Sequence, residues 1–179
     1  MPPTTTTMTR GRLKRAERGT SMGTLRGLRS HSGHLCAMAG FAGYAAGWTV
    51  LQRRSGRPRP PSPGPWDLAL TATATFRLSR LIAKTTVTRP MRAPFTRVDG
   101  AGAPAELNET PREEPGRKTA GELISCPFCL SVWIVTTFAG ARAVWPDATR
   151  TVTGALTALA LSDALQFGHS ALSKRAALT

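Results

Sequence analysis

Leu123 to Ala141 is a run of nineteen residues, thirteen of them hydrophobic, without one Asp, Glu, Lys or Arg. Nothing else in the chain limits its fold as strongly. A helix needs about 20 mostly apolar residues to cross a bilayer, and this run reaches that length at Trp145-Pro146, an interfacial stop. Three further runs are similarly poor in charge. Gly33 to Leu51 is rich in Gly and Ala, and places Ala39, Gly43 and Gly47 at the four-residue spacing that lets helix backbones approach in lipid. Trp66 to Ile82 begins almost uncharged, then sets Arg77, Arg80 and Lys84 on one helical face. Thr151 to Leu172 is apolar or small except for Asp163, Gln166 and His169. The expected fold is all-α: a small helical membrane bundle of three core transmembrane helices, over about 66–84, 126–145 and 150–172, plus an N-terminal fourth over 33–51.

The polar remainder divides the chain. Residues 1–32 carry seven Lys/Arg and hardly any large apolar side chains. Such a segment cannot bury enough surface to offset its ordering entropy, so it is expected to be a disordered basic tail. Residues 52–65 are a Pro/Arg linker that cannot be helical throughout. Residues 86–122 form a polar loop with five prolines, expected to be irregular, and 173–179 a basic C-terminal tail. Two rival readings stay open. The first run could be a signal peptide, though its leader is long and no small-residue cleavage site follows it. The 66–82 helix could lie amphipathically on the membrane surface instead of crossing it.

The net charge of +14 has three candidate causes: nucleic-acid binding, contact with anionic lipid, or the loop bias of an inserted protein. Aromatics are scarce, with a single tyrosine, so a base-stacking surface is poorly supplied and no nucleic-acid partner is expected. The basic residues discriminate better by position. With four spans and the N-terminus in the cytoplasm, 18 of the 24 Lys/Arg fall inside. That is the asymmetry of an inserted helical protein. Demoting the 66–82 helix to the surface would break the parity and put a highly basic segment outside.

TFRLSRLIAK (Thr75–Lys84), RAPF (Arg92–Phe95), GELISCPFCLSVW (Gly121–Trp133) and SDALQ (Ser162–Gln166) follow one another in this order. Together they resemble an uncharacterised family of small bacterial membrane proteins known as a domain of unknown function, some of whose members are associated with sporulating Gram-positive bacteria. The resemblance runs from Trp66 to Leu172 and leaves out the first apolar run and the tail. It implies a bacterial membrane domain over 66–172. Taken with the asymmetry of the basic residues, the expectation is a multi-pass protein of the bacterial plasma membrane with both termini and the CPFC motif cytoplasmic. Members of that family often carry an acidic residue after the AK pair where this chain has Thr85, so no charge pairing is assigned to Lys84.

Cys126-Pro-Phe-Cys129 stands where the polar loop becomes the apolar helix. Proline is favoured at the first helical position, which makes Cys126 the N-cap and Cys129 the third helical residue. Backbone N–H groups and the helix dipole would there stabilise a thiolate on Cys126. The motif looks like a glutaredoxin active site, yet a thioredoxin-type fold needs a strand before it and an amphipathic helix after it. A quinone-linked membrane thiol oxidase generally relays electrons between two cysteine pairs, whereas Cys36 is single. The two thiolates could instead supply half of a tetrahedral zinc site, completed by a second protomer. They could also be small apolar residues packing a helix end.

Asp163 is the acid inside an apolar run. An acid near a helix centre costs about 2.5–3.5 kcal/mol on insertion, so it calls for a partner. In the four-span topology Asp163 lies eleven residues from Lys174, and Arg77 lies ten from Asp67 at the opposite end of its helix. A rise of about 1.5 Å per residue then puts both at similar depth. An intramembrane Arg77–Asp163 pair follows, with Arg80 or Gln166 completing the hydrogen bonds. A bundle-locking role is the main reading; a proton or ion path is the other, with His169 nearby.

The chain lacks paired catalytic carboxylates, a nucleotide loop and a Ser/His/Asp arrangement. The leading expectation is a non-enzymatic membrane scaffold or interaction protein, with lipid and a second copy or another membrane protein as partners and no cofactor. The alternative is a membrane thiol redox or metal-binding protein built on Cys126 and Cys129.

Overall fold

The computed structural model describes residues 33–58, 60–102, 106–114 and 116–177. The expected disordered tail, 1–32, lies outside the described residues. Helix α1 occupies residues 33–54. Its first part, through Gly40, belongs to a unit of its own, and the main unit is Phe41–Thr179. Packing is described for the main unit alone.

Prolines set the starts of the long helices. Pro65, Pro127 and Pro146 occupy first-turn positions of α2 (Pro65–Lys84), α5 (Pro127–Val144) and α6 (Pro146–Ala176). There the missing N–H is no loss and the fixed φ suits a helix. α6 is longer than expected, beginning at Pro146 and running through residues 173–176 of the supposed tail. Helices α2, α5 and α6 enclose a small core of Ala74, Ile134 and Phe138, flanked by Leu78, Ile82, Leu130 and Leu156. Thr157 ties α6 to α2 through a hydroxyl bond to the Leu70 carbonyl at 3.1 Å.

Within the main unit α1 packs on α5 through aromatic rings. Phe41 and Tyr44 lie 5.2 and 5.3 Å from Trp133 between ring centroids, and the Tyr44 hydroxyl is 2.7 Å from Thr137 Oγ1. Trp48 lies flat over Gly140, where a Cβ would run into the indole. Among the described residues nothing approaches the face that carries Gly43 and Gly47: a Cβ at either would meet nothing within 4 Å. Large rings on the opposite face offer more contact surface than small residues, and they decide which side of α1 is packed.

The segment expected to be an irregular loop is folded. It holds α3 (Arg89–Arg92), strands β1 (Thr96–Ala101) and β2 (Leu107–Pro111), and α4 (Arg117–Ser125). The strands pair antiparallel from Thr96↔Pro111 to Ala101↔Leu107, with an irregularity between Val98 and Gly100. α4 presses on the base of this hairpin at Gly121, where a Cβ would meet the Phe95 carbonyl oxygen at 2.6 Å and Pro111 Cβ at 3.0 Å. The architecture is mostly helical, as expected, with this hairpin-bearing cap as the departure.

Among the described residues, one helix is long and apolar enough to cross a membrane, Pro127–Val144. α2 and α6 have the length, but Asp67, Arg77, Arg80, Lys84, Asp163 and their many Thr, Ser and Gly residues dilute them. The expectation of three core spans is therefore met by length and composition at α5 alone.

Candidate functional site

Among the described residues, the side chains that bear chemistry gather at four places. The first is the corner between α4 and α5. α4 ends at Ser125, and Cys126, with extended backbone (φ −98°, ψ 108°), is the N-cap of α5. The Cys129 backbone N–H donates to Cys126 Sγ at 3.3 Å, which meets one of the orphan donors of the first turn. Both thiols are free and half-buried. Burial pushes the Cys126 thiol up, but the Cys129 thiol, the Cys129 and Phe128 backbone N–H groups and the nearby Lys84 charge outweigh it. Its pKa is lowered on balance. The element before the motif is a helix rather than a strand, so the surroundings are not thioredoxin-like. Cys36 is exposed in the separate unit.

The second place lies between α2 and α6. Arg77 Nη1 is 2.7 Å from Asp163 Oδ2, and the two side chains are 22% and 28% exposed. Arg77 Nε is buried with no hydrogen-bond partner among the described residues. Neither expected helper joins this pair. Arg80 turns to the cap and grips Glu106 with both Nε and Nη2, at 3.0 and 2.7 Å to Oε1. Gln166 faces outward. At 100° per residue, Arg80 is displaced around α2 from Arg77, and the cap carboxylate lies nearer to it than the interhelical seam.

The third place was missed in the sequence. Arg92, wholly buried, donates to Glu109 Oε2 at 2.8 Å and Oε1 at 3.1 Å. It also donates to the Ile82 carbonyl at 2.5 Å, the Thr85 carbonyl at 3.0 Å and Thr88 Oγ1 at 2.6 Å. Arg92 thus caps the C-terminal end of α2 while holding β2 through Glu109. Burial raises the Glu109 carboxyl, but hydrogen bonds from Arg92 and Thr96 and the Arg92 and Arg89 charges outweigh it, leaving its pKa below the ordinary value. The available signal was RAPF with Glu109 downstream, an Arg and a Glu in a segment otherwise read as solvent-exposed.

At the far end of α2, Asp67 meets Arg142 at 2.8 Å and Arg150 at 3.5 Å. Trp66, next to Asp67 in the chain, and Trp145, at the start of α6, are exposed. For metal binding, the described residues bring no group of three or more His, Cys, Asp or Glu together, so the CPFC thiols would need ligands from elsewhere.

A family model described as "Protein of unknown function (DUF1360)" matches residues 70–169. The chain belongs to this family. The DUF1360 segment takes in the Arg77–Asp163 pair, the Arg92–Glu109 latch and the CPFC corner, and leaves out α1 and Asp67. No curated protein and no solved structure matches the chain. The description of DUF1360 names no biochemical activity.

Proposed function

We propose that this DUF1360 protein is an integral, multi-pass protein of the bacterial plasma membrane that serves as a scaffold or interaction protein. One observation carries the reading: the helices are apolar on the outside and charged within. Phe76 on α2, Phe128, Val132 and Val135 on α5, and Leu159, Leu161, Leu165 and Phe167 on α6 are all exposed. A water-soluble monomer rarely shows apolar surface of that extent. Meanwhile the α2–α6 seam holds Arg77 against Asp163, the placement that ionisable groups take in lipid. With α1, α2, α5 and α6 crossing, the basic cap lies in the cytoplasm. Exposed Trp66 and Trp145 lie in the outer headgroup layer. The folded cap, held by Arg92, is then the surface offered to a cytoplasmic or membrane partner.

Reporter fusions after residues 60, 105, 147 and 179 test this directly. Outside signals at 60 and 147 with cytoplasmic signals at 105 and 179 are expected. A full-length chain that stays folded in the supernatant after ultracentrifugation without detergent would end the proposal.

A further inference from the structure

Two independent observations meet at the start of α5. Cys126 and Cys129 are free thiols one helical turn apart, half-buried, with the Cys129 N–H on Cys126 Sγ at 3.3 Å. Beside them a groove of about 350 Å³ runs between α2 and α5. Its walls include Pro127 and Phe128, the two residues between the cysteines, together with Thr75, Phe76, Ser131 and Val135. The rings of Phe76 and Phe128 are exposed, whereas Thr75 is 7% exposed and its hydroxyl has no partner among the described residues. A buried hydroxyl left unmatched is costly. A guest with apolar or aromatic surface suits the rings, and an acceptor atom of that guest reaches the buried Thr75 Oγ1 only when the groove wall opens locally.

We propose that Cys126 and Cys129 form a dithiol–disulfide exchange centre, and that the groove seats the apolar arm of its disulfide substrate with a polar atom on Thr75. The Cys126 thiolate attacks one substrate sulfur, the substrate S–S bond breaks, and the other sulfur leaves as a thiolate that takes a proton from water. Cys129 gives its proton to water and attacks Cys126 Sγ. The Cys126–Cys129 disulfide forms, and the second substrate sulfur departs as a thiol. The chain loses two electrons and the substrate disulfide gains them. A reducing dithiol or glutathione-class thiol returns the pair to its starting state. Lys84, close enough for its charge to act on Cys126, favours the attacking thiolate. The inference rests on the placement proposed above to this extent: Phe76, Phe128 and Val135, counted there among the lipid-facing residues, also line the groove, which would therefore open toward the bilayer.

The test uses full-length protein in detergent with Cys36→Ser as background. It compares 4,4′-dithiodipyridine, an aromatic disulfide with acceptor nitrogens, against glutathione disulfide. The parent should consume one aromatic disulfide and close an intramolecular bond between residues 126 and 129. Cys129→Ser should stall as a mixed disulfide on Cys126, and Cys126→Ser should react about ten-fold more slowly. Thr75→Val, nearly isosteric, should lower the aromatic-to-glutathione rate ratio about three-fold or more. Phe128→Ala, at an exposed ring, should lower it too. If Cys129→Ser fails to accumulate the mixed disulfide, or Cys126 exchanges no faster than Cys36 in the unsubstituted chain, the exchange centre is wrong. If Thr75→Val and Phe128→Ala both leave the ratio unchanged, the substrate seat is wrong.

Discussion

Two arginine–carboxylate pairs, only fifteen residues apart on the arginine side, obey different physics. Arg92 and Glu109 are almost completely enclosed, at 0% and 1% exposure, and the arginine makes five hydrogen bonds to carboxylate, carbonyl and hydroxyl oxygens. Arg77 and Asp163 retain about a quarter of their exposure, share one contact, and leave Arg77 Nε unmatched. The cap builds a complete polar shell around its buried charge, as a domain folding in water must. The interhelical pair has no such shell, so its worth depends on what surrounds the helices. In water an open pair of this kind contributes little, whereas in hydrocarbon each charge requires the other.

The largest expected effect comes from breaking the latch. Arg92→Ala removes the cap's central donor and strands the Glu109 carboxylate, at a cost of about 3–5 kcal/mol. Limited proteolysis should then cut within residues 85–125 while α5 and α6 stay intact. Wild-type resistance in the variant would show the latch to be dispensable.

The interhelical pair should come next. Asp163→Asn and Arg77→Gln should each lower thermal stability in lipid bicelles, with a coupling energy of about 1–3 kcal/mol in the double-mutant cycle. The same cycle on a water-exposed pair would fall below about 1 kcal/mol. Additive losses would erase the contrast between the two pairs.

Acid should loosen the cap. Glu109 has its carboxyl depressed in the folded state, so its stabilisation is whole above the ordinary carboxylate range and is lost as pH falls through the depressed value. Hairpin amide exchange should therefore accelerate on acidification, and Glu109→Gln, already weakened, should lose that dependence. A hairpin whose exchange has the same pH profile in both proteins would remove Glu109 from the account.

Arg80→Gln should have the smallest effect, below about 1 kcal/mol by thermal unfolding, because its bond to Glu106 is partly solvated at 39% side-chain exposure. A loss as large as that of Arg92→Ala would mean the cap has a second latch.

Some of this was legible in the residues and some was not. The charge-free runs and the prolines at 65, 127 and 146 mark the long helices because helix geometry is a local matter of φ, missing N–H groups and side-chain polarity. The N-cap position of Cys126 follows from the same local rules. Residues 86–122 resisted reading because TRVDGA and LNETP are short, polar and without alternation. β2 is held by the bonds from Arg92 to Glu109, and Glu106 just before it by Arg80, rather than by an apolar face. Register, the direction taken by Arg80 and the packed side of α1 were likewise decided by tertiary structure. Each depends on which partner reaches a group first in space, and spacing along one helix carries no information about that distance.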